Sequence, residues 1–161
     1  MHYEGHLGGA LAVCSTFLAV SVPYPWHSAL IMVTIVTGAM LPDIDAHTDL
    51  LEHRGLTHTI AFALLMTVIG YGLTVPLKID LPVGMLLGLG VLTHIALDSL
   101  NPMGVRPFRP ISDREFLYPG PEGYCEAGDK EVNQIIITTG ILLVLIAGGT
   151  GIMTLLLTTN V

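Results

Sequence analysis

The chain is short of charge. Of its 161 residues only 12% are Asp, Glu, Lys or Arg, against 52% hydrophobic residues and a mean hydropathy of +0.70, which excludes an ordinary water-soluble domain. Its six basic residues form no patch, so a nucleic-acid surface is excluded and no nucleic-acid partner is expected. Lys and Arg are absent from the first twenty residues, so a cleaved signal peptide with a positive leader is not expected. Cysteine is scarce as well. Cys14 lies in the first apolar run and Cys125 in a polar loop, without CxxC spacing, which excludes a disulfide framework and a thiolate metal site.

What the chain has is apolar length. Five segments stand out: Leu7 to Val22, His27 to Leu41, Thr59 to Leu77, Leu81 to Leu100 and Ile135 to Leu157. At about 1.5 Å per helical residue the last is long enough to cross about 30 Å of hydrocarbon, and the third and fourth are expected to be adequate. The first two are short, and are expected either to span a locally thinned bilayer or to lie as buried core helices. Pro23, Pro25, Pro42, Pro76 and Pro82 mark segment edges, where a missing N–H does least damage. Tyr24 and Trp26 suit a lipid–water interface, and Gly84 with Gly88 forms a small-xxx-small pair that lets the fourth helix approach a neighbour closely.

The expected fold is an all-α polytopic membrane bundle of about five helices, forming one domain over residues 1–161. Residues 101–134 make its long polar loop and 135–157 its C-terminal transmembrane helix. A loop of that length is expected to be functional or disordered. With five spans, Arg54, Arg106, Arg109, Arg114 and Lys130 fall on one side and Lys78 alone on the other. The positive-inside rule then places the first side in the cytoplasm, the protein in the inner or plasma membrane, and the C-terminus outside.

Six of the seven histidines and twelve of the thirteen acidic residues fall at alternate junctions between the apolar segments. Folding the chain back and forth therefore gathers His6, Asp43, Asp45, His53, His58, His94 and Asp98 on one side. Imidazoles mixed with carboxylates suit Zn²⁺ or a similar first-row ion. In His94-Ile-Ala-Leu-Asp98 the two polar residues are four apart and share a helical face. In Leu41-Pro42-Asp43-Ile44-Asp45 two carboxylates follow a helix C-terminus, whose dipole opposes them and favours a compensating cation. In His53-Arg54-Gly55-Leu56-Thr57-His58-Thr59, His58 is a candidate ligand, and His53 a second ligand or a proton partner behind it. Arg54 offers a planar fork for phosphate or carboxylate. Taken singly, each cluster also reads as a buried His–Asp pair, an Asx turn or interfacial polar residues, and His6 is the weakest of them. Their gathering on one side argues for metal. His2, His27 and His47 are expected at the surface.

Gly5-His6, Leu-Pro-Asp-Ile-Asp at 41–45, His-Arg-Gly-Leu-Thr-His-Thr at 53–59 and Thr-His-Ile-Ala-Leu-Asp-Ser-Leu-Asn-Pro at 93–102 together resemble the YdjM-like, LexA-regulated membrane-bound metal-dependent hydrolases, over about residues 1 to 110. That family is similar in ligand order to the helical zinc-dependent phospholipase C and nuclease superfamily. The resemblance implies that Asp45 or Asp43, with His58, His94 and Asp98, holds one metal, and that His6 and a bridging Asp98 help hold a second. One or two zinc ions are implied, with manganese the other candidate. The chain departs from the soluble relatives in having no histidine after His94 and no N-terminal tryptophan ligand.

The expected activity is metal-dependent hydrolysis of a phosphate ester or phosphodiester of a lipid or other amphiphile at the bilayer surface. Asp43 or Asp45 would orient or deprotonate the water, and Arg54, with Arg106 or Arg109, would neutralise phosphoryl charge. The competing expectations are a non-enzymatic metal carrier or sensor, and a membrane scaffold. A transporter would place its ligands near the bilayer midplane on discontinuous helices, whereas these fall at helix ends.

Overall fold

A computed structural model describes residues 1–21, 25–47, 54–118 and 125–159. It is all helical, with α1 Tyr3–Ser21, α2 Pro25–Met40, α3 Ile60–Thr74, α4 Val83–Asp98 and α5 Lys130–Thr159. Two short 3₁₀ segments, Pro42–His47 and Leu56–His58, follow α2 and precede α3. Among the described residues the extended pairing is one isolated antiparallel bridge, Val105 to Phe116.

Local chemistry sets the boundaries. Thr59 caps α3 by accepting a hydrogen bond from the Phe62 N–H at 3.1 Å, and Pro82 stands just before α4. Asp129 Oδ1 accepts from the N–H groups of Glu131 and Val132 at 3.0 and 3.1 Å. It therefore nucleates α5 five residues ahead of the apolar run, so the first turn of α5 is a polar stretch that hydropathy assigns to the loop. Similarly, α1 begins at Tyr3 rather than Leu7.

Helix α4 is the centre of the bundle, with α1, α2 and α3 packed around it, while α5 packs along α1. Glycines allow the close crossings. A Cβ on Gly90 would lie 2.8 Å from the Ala39 nitrogen and 2.9 Å from the Gly38 Cα, so any side chain there would force α2 and α4 apart. Gly84 and Gly88 bear on α3 as their spacing predicts, Gly84 against Thr67 and Tyr71 and Gly88 against Ala63 and Thr67. Gly140 of α5 meets the backbone of Gly8 in the same way. In lipid such backbone proximity supplies the packing energy, because apolar burial gains nothing over acyl chains. One apolar cluster (Ala10, Cys14, Ile31, Ile35, Ala39, Leu86) joins α1, α2 and α4, and a second (Ala63, Val91, Ile95, Val105) joins α3, α4 and the loop after it.

The outer faces are apolar too. Leu64, Val68 and Leu73 on α3, Met85 on α4 and Leu145, Ile146 and Leu157 on α5 are all more than half exposed. Such a surface suits lipid rather than water. The expected span lengths need correction, however. With 15 and 16 residues, α3 and α4 reach about 22 and 24 Å, short of about 30 Å of hydrocarbon. The chain turns at Thr74 to Lys78 and again at Asp98 to Asn101, which shortens both apolar runs into helices with turns at their ends. Among the described residues one helix, α5, is long and apolar enough to cross by itself.

The first part of the loop after α4, residues 101–118, packs back on the bundle. Val105 is buried in the second cluster, Asn101 is buried at 2% exposure with its Oδ1 accepting from the Met103 N–H, and the Pro107 carbonyl accepts from the Ile60 N–H. Trp26, placed at an interface by its chemistry, is 85% exposed at the start of α2, while Tyr24 lies outside the described residues.

Candidate metal centre

Four parts of the chain deliver polar side chains to one end of the bundle. His6 comes from the second turn of α1, Asp43 and Asp45 from the 3₁₀ segment after α2, Arg54 and His58 from the approach to α3, and His94 with Asp98 from the last two turns of α4. His6, His58 and His94 are fully buried, and Asp45 and Asp98 are nearly so. The Asp43 side chain is 29% exposed and marks where the cluster opens.

The histidines are oriented from behind. His94 Nδ1 lies 2.8 Å from the Ala39 carbonyl oxygen, and His58 Nδ1 lies 3.1 Å from both the Thr57 hydroxyl oxygen and Asp45 Oδ2. A carbonyl and a carboxylate only accept, and the Thr57 hydroxyl donates its proton to Asp45 at 2.6 Å, so each Nδ1 carries the proton and each Nε2 presents a lone pair. These two Nε2 atoms face each other at 3.1 Å. Two lone pairs at that distance repel unless a proton or a cation lies between them. Around them, Asp43 Oδ1 is 3.5 Å from His94 Nε2 and 3.9 Å from His58 Nε2, and Asp98 Oδ2 is 3.6 and 3.4 Å from the same atoms. Ligand atoms about 2.1 Å from a tetrahedral ion lie roughly 3.4 Å apart, so the donor set fits a divalent metal.

His6 extends the cluster. Its ring stacks on His94 with centroids 3.7 Å apart, and its Nε2 lies 3.3 Å from Asp98 Oδ1 outside hydrogen-bond geometry. Both of its ring nitrogens are buried without a hydrogen-bond partner, a costly arrangement that a bound cation would relieve. The ligand atoms of His6, His94 and Asp98 lie within 4.8 Å of one another, as do those of Asp43, His58 and His94; with Nδ1 held by Ala39, His94 has one nitrogen to give and can serve one ion at a time, so Asp98 is the residue able to bridge two. Asp98 turns one oxygen toward His6 and the other toward His58 and His94. The Met1 α-amino group donates to the first of these oxygens.

A family model described as YdjM inner membrane protein matches residues 1–157. The chain belongs to the YdjM inner membrane protein family. The YdjM match takes in α5 as well as the motif-bearing first 110 residues, so the long membrane helix is part of the family pattern. Comparison with curated proteins and with solved structures yields no match.

Against this YdjM frame, the candidates separate. The fold brings together His6, Asp43, His58, His94 and Asp98. Asp45 sits behind His58, on the far side of its ring from the facing Nε2 atoms, because its oxygen is held by the Arg54 N–H at 3.0 Å and the Thr57 hydroxyl at 2.6 Å. Arg54 Nε lies 3.6 Å from Asp98 Oδ2. Arg109 instead pairs at 2.6 Å with Asp113, whose carboxyl its guanidinium holds below the ordinary range, and Arg106 is half-buried in the loop. These two extend beyond the reach of the sequence pattern, which counts charges in a loop but cannot place them. His53 and the side chain of His47 lie outside the described residues, His2 is exposed, and His27 is half-buried rather than fully at the surface.

Thr57 and the carbonyls of Ala39 and Gly104 escape a sequence reading. The Gly104 oxygen accepts from Arg54 Nη1 at 3.2 Å. Backbone carbonyls carry no residue-type signal. Thr57 carries only its adjacency to His58.

Proposed function

We propose that this YdjM-family protein is a membrane-bound hydrolase dependent on a divalent transition metal, Zn²⁺ or alternatively Mn²⁺, acting on a phosphate ester or phosphodiester of a lipid. The observation that carries this reading is the pair of buried histidines, His58 and His94, with Nδ1 tied back and Nε2 facing inward beside Asp43 and Asp98. Asp43, His58, His94 and Asp98 would hold one ion, and His6 with a bridging Asp98 would help hold a second. Ions in such a site lower the pKa of water toward neutrality and stabilise charge on phosphoryl oxygens.

The protein's own groups supply the rest. Asp43, the partly exposed carboxylate, stands at the opening and is suited to orient a water and accept its proton. Arg54 carries its guanidinium beside Asp98, with an Nε that is buried and without a hydrogen-bond partner, and is suited to pair with a phosphoryl oxygen. The short apolar helices with exposed apolar faces support a polytopic bundle in a thinned bilayer, and the five-to-one bias in basic residues supports a cytoplasmic site. The similarity of ligand order to the zinc-dependent phospholipase C and nuclease superfamily favours phosphorus as the reacting centre.

A second reading, a metal sensor or carrier without turnover, draws on the complete burial of His6, His58 and His94. Purified protein in lipid nanodiscs separates the two. Elemental analysis is expected to find one or two equivalents of transition metal, and a phospholipid panel to yield metal-dependent phosphate or headgroup release that Asp98→Asn lowers by at least about 100-fold, roughly 2.7 kcal/mol of barrier. Metal without turnover on any lipid selects the sensor or carrier. Less than a tenth of an equivalent of metal, unchanged on adding Zn²⁺ or Mn²⁺, rejects both.

A further inference from the structure

One carboxylate oxygen gathers three residues from the approach to α3, two of them as hydrogen-bond donors. Asp45 Oδ2 accepts from the Arg54 N–H at 3.0 Å and the Thr57 hydroxyl at 2.6 Å, and lies 3.1 Å from His58 Nδ1, which also lies 3.1 Å from the Thr57 oxygen. Asp45 is 2% exposed, so these contacts are made away from water, where charge-assisted hydrogen bonds are strong and their loss is costly. Arg54 has φ of +59°, a left-handed conformation that costs a residue with a Cβ about 1–2 kcal/mol. Such strain persists only where the surroundings enforce it. Here the Asp45–Arg54 N–H bond and the Nη1 bond to the Gly104 carbonyl enforce it, and they aim the guanidinium toward Asp98.

We propose that Asp45 is the positioning residue that couples His58 to Arg54, so that divalent metal at the histidines and a phosphate-type anion at the guanidinium bind cooperatively. Because Asp45 accepts the Thr57 hydroxyl proton, both groups beside His58 Nδ1 accept, and together they fix the tautomer whose Nε2 lone pair faces the cluster. Through the Arg54 N–H, the same oxygen holds the strained backbone that presents the guanidinium. Metal held at His58 Nε2 would make Nδ1 a stronger donor toward Thr57 and Asp45, and so would firm the turn that carries Arg54. Linkage makes the effect reciprocal, so bound anion raises metal affinity by the same factor. The inference rests on the metal-site part of the proposed function, but requires no turnover.

The test is binding, measured on the full chain in nanodiscs: Zn²⁺ affinity by competition with a chromogenic chelator, with and without inorganic phosphate, and phosphate affinity by calorimetry at saturating Zn²⁺. Wild type is expected to bind Zn²⁺ at least about fivefold tighter with phosphate present, the lower end of typical couplings. Asp45→Asn is expected to weaken Zn²⁺ binding about 10- to 100-fold, as loss of a partner behind a ligating histidine does, to weaken phosphate at saturating Zn²⁺ as well, and to abolish the coupling. Arg54→Lys should leave Zn²⁺ affinity without phosphate within about twofold while losing phosphate, because the ammonium lacks the planar fork. Thr57→Val removes one donor and keeps the shape. It is expected to weaken both ligands more mildly, and it carries the test if Asp45→Asn does not fold. Asp45 is a direct ligand, and the proposal fails, if Asp45→Asn loses Zn²⁺ but retains wild-type phosphate affinity once saturated. The proposal also fails if Zn²⁺ and phosphate bind independently in wild type. Cooperative binding with no hydrolysis of any lipid would leave the coupling intact and remove only the hydrolase reading.

Discussion

Helices α4 and α5 are both glycine-rich and apolar, yet the bundle uses them in opposite ways. Helix α4 is enclosed by α1, α2 and α3, and its last two turns carry His94 and Asp98 fully within the protein. Helix α5, nearly twice as long at 30 residues, packs along α1 and leaves most of its large side chains exposed. Glycine in α4 lets backbones touch. Much of the glycine in α5 meets nothing, since a Cβ on Gly148 or Gly149 would find no atom within 4 Å. Composition does not distinguish a helix that builds a site from one that anchors it; the neighbours do.

The largest effect that sharpens this contrast is expected at Gly90. Its added side chain meets the backbone of α2 rather than a flexible side chain, so Gly90→Val should cost upwards of about 3 kcal/mol, at or beyond the usual range for overpacking. Because Ala39 supplies the carbonyl that orients His94, metal content should fall with stability. Denaturation in mixed micelles together with elemental analysis checks both. Retained metal in a stable Gly90→Val variant would show that the α2–α4 crossing can adjust without disturbing His94.

A smaller and more selective effect is expected at Gly140, which meets the backbone of Gly8 two residues from His6. Gly140→Val should shift α1 against α5 at a cost of about 1–3 kcal/mol. It should weaken the binding of any second ion, which needs His6, more than the first, which needs Asp43, His58 and His94. Zinc titration resolves the two. Equal loss at both positions would make α5 part of the site's scaffold rather than only its anchor.

Gly149→Ala gives the converse. With open space around it and a helical backbone, the change should leave stability within about 1 kcal/mol of wild type, tending to stabilise through helix propensity. A larger loss would reveal a partner seated on that face of α5, which a crosslinking experiment would then identify.

The smallest effect concerns the sidedness of the site. Cys125 is buried at 6% exposure, and burial, with the nearby Asp129 charge, pushes its thiol above the ordinary value, so little thiolate forms near neutrality. Alkylation should be slow at pH 7 and accelerate as pH rises, which makes Cys125 a poor reporter. Glu115→Cys, on the exposed part of the loop, should label readily in inverted membranes and stay protected from impermeant reagents in intact cells. The opposite pattern reverses the proposed orientation.

Part of this protein is legible without coordinates. The apolar segments gave five helices, the Gly84 and Gly88 spacing marked a close crossing, and the alternate polar junctions foretold that His6, Asp43, His58, His94 and Asp98 would meet at one end. These are properties of order along the chain: helical periodicity, punctuation by proline, and the alternation of direction that connected helices impose. Boundaries were less legible where a side chain overrode hydropathy, as Asp129 does at the start of α5, and where turns shortened α3 and α4.

The distinction between Asp43 and Asp45 belongs to tertiary structure alone. They are two residues apart in a 3₁₀ segment, and nothing local says which faces the histidines; the positions of Arg54, Thr57 and His58 decide it by claiming one oxygen of Asp45. The same holds for Arg54 over Arg106 and Arg109, since a charge in a loop is placed by what the loop packs against. Sequence set which donors are available and to which end of the bundle they go. Only the packing of four segments against one another set which atoms face each other, because contact distance is a property of their joint arrangement and of no segment by itself.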